Sequence, residues 1–126
     1  MATTGVAQSV VRSGLYEDLP IPVEATTSRV VVNNDVLRVV LFAMAAGQEL
    51  TAHASPRAVT VQIVEGELSF TVGTTAHHMH EGDVVYLAPN ESHALVALSP
   101  CRFTLVMVAH PEGWDAPCDM RPKAPA

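Results

Sequence analysis

The sequence offers little for a nucleic acid, a membrane or an oxidising compartment to act on. Cysteine is nearly absent. Cys101 and Cys118 are too few for a disulfide scaffold and lack the paired spacing of a zinc site. A bridge between them would close only a tail, so none is expected. Positive charge is scarce: 7 Lys and Arg stand against 13 Asp and Glu, for a net charge of -6. Arg12, Arg29, Arg38, Arg57 and Arg102 are widely separated. A phosphate backbone finds no basic cluster, which argues against DNA or RNA as partner. The apolar runs fall far short of a membrane span. From Met1 to Ser9 the amino terminus is polar and glycine-containing, unlike a secretory signal, so a cytoplasmic location is expected. Aromatics are few as well. Three Phe, two Tyr and one Trp leave most of any interior to small aliphatic side chains.

What is present is a series of short β-rich runs. They fall at 29–33, 36–44, 59–64, 68–72, 77–80, 84–87, 93–98 and 102–109. Turn signals separate them, among them Asn33-Asn34-Asp35, Ala46-Gly47, Glu65-Gly66-Glu67, Glu81-Gly82-Asp83, Pro89-Asn90-Glu91-Ser92 and Ser99-Pro100. No stretch of ten residues carries a helical stripe, and the Val content of the 38–45 run favours strand over helix. Many short strands between turns predict an all-β sandwich or barrel. At 126 residues this is one domain, long enough to bury about two thirds of its unfolded surface without a metal or disulfide. The expected organisation is an extended segment over 1–28 that packs on the barrel or a partner subunit, a barrel over 29–110, and a Pro-rich tail over 111–126. Trp114 is expected to anchor that tail or to meet another subunit.

Two motifs sharpen this. Gly47 to Pro56 reads GQELTAHASP and is followed by Ile63-Val64-Glu65-Gly66-Glu67, and 82–93 reads GDVVYLAPNESH. In these phrases and their separation the chain resembles a small single-domain cupin. The resemblance implies a double-stranded β-helix (a jelly-roll barrel) and a homodimer paired through a barrel sheet. In metal-binding cupins, two histidines and a glutamate of the first motif join a histidine of the second. On that alignment His53 matches the first histidine and His93 the last. The second histidine position holds Ser55, and the glutamate position, seven residues before Gly66, holds Val59.

Half of the usual ligand set is therefore missing. A first-row ion (Fe, Mn, Ni or Zn) held by His53 and His93 would need waters or another ligand to complete its shell. Gln62 does not supply one, because Val59, Val61 and Ile63 share a strand face and Gln62 points away from it. Three states of the pair stay open: a metal held by the two histidines, a metal-free pair contacting a ligand, and inherited residues without present chemistry. In the His77-His78-Met79-His80 tract, Met79 takes the inward position and His78 and His80 face out. His110 is read as a surface or satisfied histidine.

Besides a purely structural or regulatory role, for which the sequence names no partner and carries no helix-turn-helix segment, two functions follow. The first is a binding module, with a small molecule in a pocket lined by Phe42, Val59, Val61, Tyr86 and Leu95 and edged by His53, Ser55 and His93. The second is a metal-dependent cupin enzyme of dioxygenase, isomerase or decarboxylase type with a reduced ligand set, or a metal-free one in which His53 or His93 acts as general base.

Overall fold

Nine strands and one helical turn make up the regular structure of residues 4–108, the part of the chain that the computed structural model describes. The expectations for His110, Trp114, Cys118 and the 111–126 tail fall outside those residues. In chain order the elements are α1 (Leu15–Asp18), β1 (Thr26–Asn33), β2 (Leu37–Met44), β3 (Glu49–His53), β4 (Ala58–Glu65), β5 (Glu67–Val72), β6 (Thr75–His80), β7 (Val84–Leu87), β8 (His93–Ala97) and β9 (Cys101–Val108). They form two antiparallel sheets, ordered β1-β2-β9-β4-β7 and β3-β8-β5-β6. From β2 onward successive strands switch sheets, except at the β5–β6 hairpin. That winding is the double-stranded β-helix.

Alternation along the strands explains the core. Val59, Val61 and Ile63 are buried while Thr60 and Gln62 between them are exposed, as a strand with one face inward requires. The ladder registers sort the inward residues of the larger sheet into layers. Met44 pairs with Cys101, then Phe42 with Phe103, then Val40 with Leu105, then Arg38 with Met107. On the other side of β9, Val61 joins Leu105 and Val59 joins Met107. In the smaller sheet the corresponding layers run from Leu68 and Ala97, through Phe70 and Leu95, to Val72 and His93.

The connections gather at the two ends of the barrel, and backbone bonds tie loops together at both. At one end lie the connections 45–48, 66, 81–83 and 98–100. Backbone bonds knit them together, including Gly47 N–H to the Ala97 carbonyl (2.8 Å) and Gly82 N–H to the Ile63 carbonyl (2.9 Å). Gly66 has φ +83°, and a Cβ there would collide with the Pro100 carbonyl oxygen and with Cys101. Only glycine fits that crossing. The other end gathers the connections 34–36, 54–57, 73–74 and 88–92.

The segment before β1 crosses the outer face of the larger sheet. Arg102 donates to the carbonyls of Tyr16 (3.1 Å) and Leu19 (3.2 Å), and its guanidinium lies 4.6 Å from the Tyr16 ring centre. It also pairs with Glu65, and Arg29 pairs with Asp18 at 3.2 Å. These contacts lie in the rows of Ala43 and Leu41, which are buried although they face away from the barrel interior.

Three elements depart from the sequence reading. Glu49–His53 is a strand, α1 is a single helical turn, and β1 starts at Thr26. Polar Glu49 and Thr51 conceal β3 because it is an edge strand, paired only with β8 and largely exposed.

Candidate functional site

His53 ends β3 and His93 begins β8, and the two are register partners. Their rings meet edge to face, with centres 4.2 Å apart and planes inclined by 61°. A bulge between Leu50 and His53 breaks the ladder just before the pair, a common way of re-aiming a side chain. His93 is buried at 7 % exposure, whereas His53 is exposed. Beneath them Phe70 lies nearly parallel to the His93 ring, centres 6.0 Å apart.

Each imidazole is tethered the same way. His53 Nδ1 lies 2.9 Å from the Thr51 carbonyl, and His93 Nδ1 lies 3.0 Å from the Glu91 carbonyl. A carbonyl oxygen only accepts, so Nδ1 carries the proton in both rings. In the neutral rings Nε2 is then a bare lone pair on each. The turn before His93 sets this up: Asn90 adopts φ +68°, which asparagine tolerates. Its N–H bonds the Ser55 carbonyl at 2.6 Å, tying the 88–92 loop to the 54–57 loop.

The remaining expected site residues take different places. Ser55 is half-buried in the 54–57 loop, and its Oγ accepts the Arg57 amide at 3.1 Å. Val59, Val61 and Leu95 are buried core residues, and Leu95 pairs with Phe70, the ring that lies against His93. Phe42 packs against that core, stacked on Phe103 with centres 5.0 Å apart. Tyr86 does not line the interior. It is 62 % exposed on the outer face, because alternation with buried Leu87 turns it outward opposite Thr60. Sequence reasoning missed Val72 and Met107, half-buried in the outermost layer, and Arg38 in the same layer. Stepping back by twos from Phe42 along β2 is the signal that leads to Arg38.

The second histidine tract is a surface feature. Met79 is buried, and His78 and His80 project outward with ring centres 6.0 Å apart. Each has a carboxylate of its own, Glu67 at 2.8 Å and Asp83 at 3.4 Å.

A divalent metal does not fit this donor set. Among the described residues no group of three or more His, Cys, Asp and Glu is placed to hold one. Where metal-binding cupins carry the glutamate, Val59 presents buried methyl groups. Two imidazole nitrogens alone are short of the three or four protein ligands that such ions take.

A family profile described as a cupin domain matches residues 40–108. Comparison with curated proteins finds no match. Among solved structures, a conserved protein of unknown function from Streptococcus pyogenes is similar, at 24 % identity and TM-score 0.74 over 88 % of this chain and 97 % of that one. A cupin-superfamily protein from Desulfitobacterium hafniense has 16 % identity and TM-score 0.72, covering 76 % and 88 %. KdgF from a Halomonas species has 17 % identity and TM-score 0.66, covering 70 % and 82 %. At such identities the likeness is one of fold. Among the described residues no helix is long and apolar enough to cross a membrane.

Proposed function

The chain belongs to the cupin family, and from that premise we propose that it binds a small organic molecule at the open end of the barrel, against His53 and His93. The observation that carries this reading is the paired tethering of the imidazoles, which leaves two Nε2 acceptors beside an apolar floor. Such a mouth receives a ligand with an apolar body and a hydroxyl or N–H to donate. Each ring is backed by a backbone carbonyl rather than a carboxylate. A catalytic histidine that must hold a proton is usually braced by a carboxylate, so the tethering favours binding over acid–base catalysis. Pairing as a homodimer would suit the outer face of β4 and β7, where Val84 and Tyr86 are exposed.

The test uses imidazole NMR of untagged, full-length protein titrated with glycolate, lactate and mandelate and with the corresponding amides. We expect at least one compound to shift the His93 ring signals. His93→Ala should weaken its binding by about tenfold or more, the worth of one well-placed hydrogen bond to a buried partner. No shift from any of the six would overturn the reading. So would one equivalent of iron, manganese, nickel or zinc in the purified protein that is lost in His93→Ala.

A further inference from the structure

We propose that Arg38 makes the open end a carboxylate site, so that the ligand is a small hydroxy acid or related acid held between the Arg38 fork and the two imidazoles. The inference rests on the preceding reading of the mouth and names its ligand class. Its first support is position. Arg38 pairs with Met107 on β9 and alternates with Val40, Phe42 and Met44, so it occupies an inward-facing place on a strand whose other inward residues are apolar. It lies in the outermost layer with Met107, Val59 and Leu87. β2 leads away from this end and β3 returns to it, so Arg38 and His53 stand at the same end on opposite sheets. Facing sheets pack about 10 Å apart. Arg38 therefore faces the His53 and His93 side of the mouth from the opposite sheet.

The second support is what the guanidinium does within the protein. Arg29 and Arg102 have carboxylate partners, Asp18 and Glu65. Arg38 makes one hydrogen bond, Nε–H to Asn33 Oδ1 at 3.2 Å, and meets no carboxylate among the described residues. Its Nη donors are the part of the fork that takes a carboxylate in two parallel bonds. Neither Nη is among the buried polar atoms that lack a partner, so the free edge of the fork is open to an acidic ligand. The acceptors on His53 and His93 complement this by accepting a hydrogen bond from a hydroxyl of the same molecule. The other charges at this end are exposed Asp35 and Glu91 and half-buried Arg57, and Arg57 serves as the control for bulk charge.

The six titrations above decide the matter when repeated on Arg38→Gln and Arg57→Gln. In the wild type at least one acid should bind about tenfold more tightly than its amide, as expected for a charge-assisted bidentate pair. Arg38→Gln should erase that preference, the acid losing about tenfold more than its amide, and Arg57→Gln should preserve it. Should Arg38→Gln fail to fold, Arg38→Lys keeps the charge without the fork and should lose most of the preference. Acids and amides that bind the wild type equally would overturn the carboxylate assignment and leave the cavity reading standing. Equal loss in Arg38→Gln and Arg57→Gln would overturn it in favour of general attraction. Silence from all six compounds brings down the cavity reading itself.

Discussion

The same eight core strands end in two unlike ways. At the closed end, Met44, Leu68 and Cys101 are completely buried, the chain crosses itself at Gly66, and Arg102 straps the amino-terminal segment across the sheet. The open end is another matter: Val72 and Met107 are half-buried, His53 is exposed, and Arg38 stands inside an otherwise apolar row. The closed end keeps its inward positions apolar throughout, with Met44, Leu68, Ala97 and Cys101 all buried. The open end departs from that pattern with imidazoles, a guanidinium and Ser55 where more aliphatic side chains would stabilise the barrel. Departures concentrated in one place are the mark of a working site, and substitutions at the two ends should separate stability from binding.

The largest effect is expected at the crossing. Gly66→Ala combines a positive φ with a Cβ that has no room beside Pro100 and Cys101. It should destabilise the fold by about 3 kcal/mol, the sum of left-handed backbone strain and overpacking. Gly82→Ala is the control: its φ is +92° with nothing within 4 Å of the added Cβ, so about 1 kcal/mol is expected. Urea unfolding of the two variants measures the difference. Equal costs would show that the closed end yields as readily as an ordinary turn.

Where side chains alternate or glycine marks a turn, the architecture could be read from the sequence. The 84–87 strand has its expected bounds, and the inward face of Val59, Val61 and Ile63 follows from alternation alone. β3 escaped because an edge strand that buries little needs no apolar pattern. Tyr86 was misassigned because an aromatic residue is as much at home on an exposed sheet face as in a cavity; only the burial of Leu87 beside it decides. For Arg38 the difficulty was pairing. A charge at the head of a strand reads as a solvated rim until the β2–β9 register sets it in the layer of Met107 and Val59.

A smaller effect tests the donor set at the open end. Val59→Glu places a carboxylate at a buried position in the layer that Arg38 shares with Leu87 and Met107, so its cost should be about 2 kcal/mol, the burial of a charge partly offset by that guanidinium. Combined with Ser55→His, it restores the residue types found in metal-binding cupins. Nickel or zinc should then raise the melting temperature of the double variant and leave the wild type unchanged, since an ion stabilises only a fold that binds it. If the wild type gains as much as the double variant, two imidazoles suffice and the comparison between the ends loses its chemical half.

The smallest effect belongs to Cys101 at the closed end, whose titration the packing moves. Burial, with the Glu65 carboxylate adding to it, pushes its thiol up to about 11 from an ordinary 9.0. The folded protein therefore keeps this proton over a range in which the unfolded chain releases it. Below pH 9 both states hold it and stability is unaffected; between about 9 and 11 the folded state binds more protons, so stability falls as pH rises. By pH 10 the loss should reach about 1 kcal/mol. Subtracting the same curve for Cys101→Ala removes the contribution of other groups that titrate there. A wild-type slope no steeper than the variant's would mean that water reaches Cys101, and that the closed end is open to solvent where its packing says it is sealed.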